Sequence, residues 1–163
     1  MRMQPITVSA LLLAAAAAVP LAQSVQQRPV GAAAITHQRL SQADQEPGSW
    51  LTTGGTYLHQ HYSPLDQINE MSVKQLGLAW FADIDTERGQ EATPVVVDGA
   101  LYVSTAWSMV KAYSVNTGRL LWEYDPAVAK AKAADACCDV VNRGVAVWNG
   151  KVYVGALDGR LIA

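Results

Sequence analysis

The sequence predicts an all-β fold made of repeated four-stranded blades, a β-propeller. From Leu78 onward, short apolar runs alternate with turn signals, which is typical of all-β proteins. The segments 98–112 and 149–163, "DGALYVSTAWSMVKA" and "NGKVYVGALDGRLIA", align at a spacing of 51 residues. A period of about 50 residues that holds several short strands indicates propeller blades. A β-sandwich also uses short strands, but it does not predict this repeat.

The first blade can be assigned strand by strand. "TPVVV" runs into the turn Asp98-Gly99, which is a strong hairpin signal. "LYVST" follows, and a bend at residues 106–108 separates it from "VKAYSV". The turn Asn116-Thr117-Gly118 then leads into "LLWEY". Gly118 tolerates the positive φ of a tight turn, and Trp122 is expected to pack between neighbouring blades.

The repeat also indicates that the chain holds only part of a propeller. "LGLAW", residues 76–80, resembles the last strand of a blade, although no blade precedes it. We expect it to be an N-terminal strand that closes the ring by completing the final blade. A propeller needs at least about four blades, and the chain offers about one and a half. The sequence is therefore predicted to be the N-terminal piece of a longer protein, poorly folded by itself because its blade edges are exposed.

The first 24 residues are predicted to be a cleavable signal peptide. Arg2 precedes an apolar run of 14 residues from Ile6 to Val19, and small residues follow. The alternative is an uncleaved anchor, but crossing a bilayer takes about 20 apolar residues. We therefore expect an exported protein that is not an integral membrane protein, in a compartment that permits disulfides.

The remaining composition sets limits on partners and domains. The chain is 50% hydrophobic and 16% charged with a formal net charge of -2, as in a folded globular protein. It shows no basic patch, so nucleic acid is not an expected partner. Residues 25–47 are polar and are predicted to form a loosely held N-terminal arm. The propeller domain is predicted to occupy residues 48–163.

The only two cysteines of the chain are adjacent, in "ACCDVVNRGVAVW". Cys137 and Cys138 are open to several interpretations: a disulfide with each other, a free thiol pair, or a metal or intermolecular site. A disulfide between neighbours would hold the Cα atoms about 3.8 Å apart, below the usual range of about 4.4–6.8 Å. It would also close a minimal loop, so stability is a poor reason for it. The other candidate ligand pair, His59 and His61, has no third ligand and is predicted to lie on a surface turn.

Two motifs resemble one enzyme family. "AYSVNTGRLLW" fits the repeat A-x-D-x-x-T-G-x-x-x-W of the quinoprotein alcohol dehydrogenases, except that Ser114 stands where the repeat prefers Asp. The adjacent cysteines followed by D-V-V-N-R resemble the methanol and ethanol dehydrogenases of that family, which depend on pyrroloquinoline quinone (PQQ). The resemblance covers residues 48–163 and implies an eight-bladed propeller.

The resemblance also implies a cofactor site. It implies that Cys137 and Cys138 form a disulfide whose ring packs against one face of the planar PQQ. It places Arg143 at a contact with PQQ, where a guanidinium suits the three carboxylates and the quinone. Glu91, in "GQEATP", matches a glutamate that also reaches the cofactor. Because a glutamate beside a tricarboxylate is electrostatically unfavourable, we expect it to be protonated or bridged.

The function implied by the resemblance is the periplasmic oxidation of primary alcohols to aldehydes by hydride transfer to PQQ. Ca²⁺ or a lanthanide and a catalytic aspartate would come from later blades, so this chain alone is expected to be inactive. Electrons would leave to a cytochrome c or a quinone, and haem c in a downstream domain is a further option. The alternative is a non-enzymatic propeller that carries the same repeat and binds proteins. A lipoprotein of that class needs a cysteine just after its signal peptide, whereas the first cysteine here is Cys137.

Overall fold

The computed structural model describes residues 34–84 and 86–163. The predicted signal peptide, residues 1–24, and the first part of the predicted arm lie outside these ranges. Within them, no helix has both the length and the apolarity needed to cross a bilayer. One short helix, α1, spans His37–Ser41. Short 3-10 turns lie at Ala43–Gln45, Val73–Gln75, Ala106–Ser108 and Lys130–Asp135.

The first blade is a four-stranded antiparallel sheet in chain order. Its strands are β1 (Val95–Val97), β2 (Ala100–Ser104), β3 (Val110–Ser114) and β4 (Leu120–Tyr124). The turn between β1 and β2 places Asp98 and Gly99 at φ angles of 51° and 79°, as the favoured two-residue hairpin turns require. All four predicted strands and the predicted bend between β2 and β3 are confirmed.

A second sheet repeats the first with the predicted offset. Its strands are β5 (Ala146–Trp148), β6 (Lys151–Gly155) and β7 (Leu161–Ile162). Val103 pairs with Lys111 in the first sheet, and Val154 pairs with Ile162 in the second. Both partners are shifted by 51 residues, so the sequence repeat is a repeat of strand register. This result confirms the propeller-blade interpretation.

Buried aliphatic residues of both sheets form one core with the segment that precedes the blades. The first sheet contributes small and β-branched side chains, which fit a pleated surface that is covered. The cluster includes Val95, Val97, Tyr102 and Ala112 of the first sheet, Val147 and Val154 of the second, and Ile35, Leu40 and Leu51. The outer strand β4 is largely exposed, and Trp122 on it lies 5.9 Å from the ring of Tyr102.

The described part of the N-terminal arm is packed, which corrects the prediction that it is loosely held. Ile35 is fully buried in the core. Arg39 of α1 donates to both carboxylate oxygens of Glu46 at 2.8 and 2.7 Å and to both of Asp98 at 3.1 and 2.8 Å. The backbone N–H of Asn149 donates to the carbonyl of Ile35 at 2.9 Å. The prediction was wrong because the polar composition of this segment hides three buried apolar side chains, Ile35, Leu40 and Ala43, and a partly buried ion-pair network around Arg39.

Residues 76–80 are not a strand in this structure, although the sequence predicts one that closes the ring. No described strand lies beside them to complete a ladder, and Leu78 is 80% exposed. Trp80 is nevertheless held against the first blade. Its indole N–H donates to the carbonyl of Val115 at 2.7 Å, and its ring stacks on Tyr113. The Trp80 ring also packs directly against Gly118, so the Thr-Gly turn provides a contact surface for a tryptophan.

Candidate functional site

Two segments, 88–93 and 139–144, run side by side in the same direction at one end of the blades. Thr93 forms a parallel bridge with Gly144, and its N–H donates to the carbonyl of Arg143 at 3.3 Å. At the other end of the pair, the Arg88 guanidinium binds the Asp139 carboxylate, with Nε 3.0 Å from Oδ2. The bridged residues are 51 positions apart, as are Arg88 and Asp139. The repeat therefore places equivalent segments of successive blades in contact.

Glu91 and Arg143 meet between these anchors. One guanidinium nitrogen of Arg143, Nη2, lies 3.2 Å from Oε2 of Glu91. Both side chains remain accessible, at 42% and 79% exposure. The guanidinium, a planar fork of five N–H donors, therefore keeps donors for a further anion. The Glu91 carboxylate therefore lies beside a guanidinium, which partly compensates its negative charge.

The two cysteines are bonded to each other. Cys137 and Cys138 form a disulfide with their Cα atoms 3.8 Å apart, and their segment lies at the surface. The chain is fixed immediately after the pair, because Asp139 binds Arg88 and Val140 is fully buried. The disulfide is thus exposed to solvent, and the backbone that directly follows it is held in place.

The bend between β2 and β3 supports the same region from the first blade. The backbone N–H of Trp107 donates to the carbonyl of Val140 at 2.9 Å. Trp107 and its neighbour Ser108 both have positive φ angles, of 63° and 62°. The ammonium of Lys130 lies 3.9 Å from the centre of the Trp107 ring, within the range of a cation–π contact. Residues 139–144, the site segment, are therefore attached to the end of the first sheet.

The structure joins the four predicted site residues as two pairs, Glu91 with Arg143 and Cys137 with Cys138. Both pairs lie on, or directly before, the same parallel segments. His59 lies on an exposed segment, as predicted for a surface turn. Among residues 34–84 and 86–163, no three His, Cys, Asp or Glu side chains are arranged to hold a metal ion.

Sequence reasoning missed several residues that build this site. The motifs assign no role to Ser108 or Asn142, although Asn142 stands inside the motif that identified Arg143. The ion pair of Arg88 and Asp139 was also missed. The repeat could have revealed this pair, because a 51-residue offset aligns the cation Arg88 of one blade with the anion Asp139 of the next. Arg39 was missed because its partner Asp98 is 59 residues away and no local pattern predicts that contact.

Comparison with known proteins identifies the family. Residues 50–163 match the family model described as the glucose/ethanol/alcohol dehydrogenase β-propeller domain, designated PQQ. The quinohemoprotein alcohol dehydrogenase ADH-IIG of Pseudomonas putida is 53% identical over 154 residues, which are 94% of this chain and 21% of that protein. The dehydrogenase subunit of a quinone alcohol dehydrogenase of Komagataeibacter europaeus is 58% identical over 128 residues, 78% of this chain and 17% of that protein.

Solved structures agree with the sequence relatives. The structure of ADHIIG from Pseudomonas putida HK5 superimposes with a TM-score of 0.77 at 56% identity, covering 79% of this chain and 19% of that one. A europium-containing methanol dehydrogenase superimposes with a TM-score of 0.71 at 38% identity, covering 77% and 22%. The chain thus spans about a fifth of the length of the relatives it matches. It belongs to the family of PQQ glucose/ethanol/alcohol dehydrogenase β-propeller domains.

Proposed function

We propose that this chain forms the first part of a periplasmic, PQQ-dependent alcohol dehydrogenase that oxidises primary alcohols to aldehydes. The observation that carries the proposal is the Glu91–Arg143 ion pair, in which Arg143 lies on the anchored segment that directly follows the Cys137–Cys138 disulfide. Two relatives that are more than half identical to this chain over the aligned residues are named alcohol dehydrogenases. Export is supported by the apolar run that follows Arg2.

The residues present fit PQQ, a planar tricarboxylate. The exposed guanidinium of Arg143 has one carboxylate partner at 3.2 Å and further donors suited to a second carboxylate or to a quinone oxygen. The disulfide of Cys137 and Cys138 carries no hydrogen-bond donor and no charge, which suits the flat face of a ring system. Glu91 forms an ion pair with Arg143, so its negative charge is partly compensated where an anion would bind.

Each of these groups has a distinct part in the proposed function. PQQ, when bound, supplies the hydride acceptor, and the protein supplies binding and orientation. Arg143 binds an edge of the cofactor and Glu91 orients Arg143. The disulfide limits the approach of the ring from one side. No residue of the described ranges is assigned as the base for the alcohol, and the family resemblance places that group and the Ca²⁺ or lanthanide ligands in later blades. This chain by itself is therefore proposed to be inactive.

The partners follow from the same proposal. A small primary alcohol is the substrate, and a cytochrome c or a quinone receives the electrons. One relative, of Thauera butanivorans, is named 1-butanol dehydrogenase (cytochrome c) and is 49% identical over 145 residues, 89% of this chain and 21% of that protein. That name supports a c-type cytochrome as the acceptor, bound in the same polypeptide or as a separate protein.

The test uses the protein that the gene carrying this chain encodes, exported in a host that makes no PQQ. The purified apoprotein is incubated with Ca²⁺ or a lanthanide, with and without PQQ, and the reduction of an artificial dye by ethanol and 1-butanol is followed. We expect PQQ to bind tightly enough to survive gel filtration and dye reduction to require both PQQ and alcohol. A protein that folds, retains no PQQ and reduces no dye would favour the protein-binding propeller.

A further inference from the structure

We propose that Ser108 and Asn142 are positioning residues that hold Arg143 ready for the cofactor. The inference rests on the proposed function, because it concerns the binding of PQQ by Arg143. Neither side chain needs to touch the cofactor. Asn142 holds the backbone after Arg143, and Ser108 holds the Asn142 side chain, by hydrogen bonds that reach both blades.

Asn142 is the centre of this arrangement. Its amide nitrogen donates to the Ser108 hydroxyl oxygen at 3.3 Å and to the carbonyl of Gly155 at 2.8 Å. Its amide oxygen accepts from the N–H of Gly144 at 3.1 Å. A neutral amide has two donor hydrogens and one acceptor oxygen, so both hydrogens and the oxygen are engaged. The residue before Arg143 thereby fixes the residue after it.

Ser108 connects that centre to both blades. It follows β2 of the first blade and is 1% exposed. Its hydroxyl oxygen accepts from Asn142 and also from the N–H of Leu157, at 3.0 Å, beyond β6 of the second blade. One oxygen thus receives donors from the site segment and from the next sheet.

The backbone at Ser108 has an unfavourable conformation that supports a positioning role. Trp107 and Ser108 both lie in the left-handed region, with φ angles of 63° and 62°. Residues other than glycine adopt this region at a cost, and such residues concentrate where the surroundings hold them for a purpose. Here the bend directs the Trp107 N–H toward Val140 and the Ser108 hydroxyl toward Asn142. Both contacts fall on the site segment.

Positioning matters at Arg143 because its side chain is long and 79% exposed. A flexible guanidinium loses conformational entropy when it binds an anion, and a pre-oriented one loses less. The Arg143 side chain is oriented by Glu91 at its tip, while Thr93 binds its carbonyl. Asn142 and Ser108 add hydrogen bonds that hold the backbone next to Arg143. Removing either is expected to weaken PQQ binding without removing any group that contacts PQQ.

The experiment measures the Kd of the full-length apoprotein for PQQ by quenching of tryptophan fluorescence. The variants are Ser108→Ala and Asn142→Ala, with Asn116→Ala, in an exposed turn, as the matched control. Loss of these supporting hydrogen bonds is expected to raise Kd about 3- to 10-fold, and the control should stay within about 2-fold of the unchanged protein. In an Arg143→Ala background, Ser108→Ala should raise Kd no further, because its effect passes through Arg143.

A second variant separates positioning from folding. Ser108→Gly removes the same hydroxyl but relieves the left-handed backbone, so it should raise Kd as Ser108→Ala does while keeping the unchanged protein's Tm. The inference is overturned if both Ser108 variants bind PQQ with unchanged Kd, or if Ser108→Ala has the same effect with and without Arg143. In either case the Kd of Arg143→Ala for PQQ tests the proposed function separately. If it weakens binding, the proposed function stands alone, and if it does not, the proposed function fails as well.

Discussion

Arg39 and Asp98 form a buried, two-point ion pair between the segment before the blades and the first hairpin turn. Two guanidinium nitrogens of Arg39 lie 3.1 and 2.8 Å from the two carboxylate oxygens of Asp98, whose side chain is 3% exposed. The equivalent turn of the second blade, at Asn149, binds the carbonyl of Ile35. Residues 35–46 therefore contact the first hairpin turns of two successive blades.

Replacing Arg39 with Met should destabilise the protein by about 3–5 kcal/mol, because it removes the guanidinium that pairs with the buried Asp98 carboxylate. The hydrogen bond to Glu46, against the opposing effect of burial and with a further contribution from Asp98, raises the pKa of the Arg39 guanidinium. The loss should therefore persist at any pH at which the carboxylates are ionised. Urea unfolding measures it, with the exposed Arg119→Met as control. Equal unfolding free energies for the two variants would contradict the structural role of Arg39.

Substitution of Gly118 is expected to destabilise the protein because Trp80 packs against it. A Cβ at Gly118 would lie 2.7 Å from the Trp80 ring, and the residue has a φ of +67°. Gly118→Ala should cost about 2–4 kcal/mol of unfolding free energy, from the positive φ and the overlap together. Gly150→Ala is the matched control, since Gly150 has a φ of +79° and a Cβ there would meet no atom within 4 Å, and it should cost about 1–2 kcal/mol. Similar losses in thermal or urea unfolding would argue against the Trp80 contact.

The Cys137–Cys138 disulfide should matter for binding and little for stability. Because it closes a minimal loop, it constrains almost none of the unfolded chain. Changing both cysteines to Ser should alter the unfolding free energy by no more than about 1 kcal/mol. We expect the Kd for PQQ to rise, since two small polar side chains replace the disulfide face. A large loss of stability with unchanged PQQ affinity would reverse this interpretation.

Tyr102 should make the fold sensitive to alkali. Burial, with a smaller contribution from the charge of Asp98, raises the pKa of the Tyr102 phenol above its usual 10.0. The native state then holds the proton more tightly than the unfolded state, so the unfolding free energy falls as pH rises above the unfolded pKa of 10.0 and levels off only past the raised pKa. Tyr102→Phe should flatten the fall of unfolding free energy above pH 10, whereas Tyr62→Phe, at an exposed position, should not. If unfolding free energy falls equally with pH in the unchanged protein, Tyr102→Phe and Tyr62→Phe, Tyr102 is not the source of the alkali sensitivity.

The strands and their repeat were predictable because they follow from local chemistry. The Asp98-Gly99 turn fixes one hairpin, and alternating apolar residues fix which face is buried. The 51-residue offset then fixed the register of the second sheet. Residues 76–80 look like a strand by the same local criteria. They do not form one here, because a strand also needs a neighbour to pair with.

The candidate site was predictable only in part. Cys137, Cys138, Arg143 and Glu91 were found through motifs, and their contact with a cofactor stays a prediction. The Glu91–Arg143 ion pair and the bonds of Ser108 were not foreseen, because they join segments of different blades. Side-chain partners at such separations depend on how the sheets stack, which no local pattern specifies.

The most direct test of the central claim is the affinity of the full-length apoprotein for PQQ after Arg143→Ala. Removing a charge-assisted hydrogen-bonding group costs about 1.5–3 kcal/mol, which corresponds to a Kd about 10- to 150-fold higher. Arg119→Ala, an exposed arginine on the turn before β4, is the control and should leave Kd unchanged. If Arg143→Ala binds PQQ as tightly as Arg119→Ala does, Arg143 is not a cofactor contact and the account of this site is wrong.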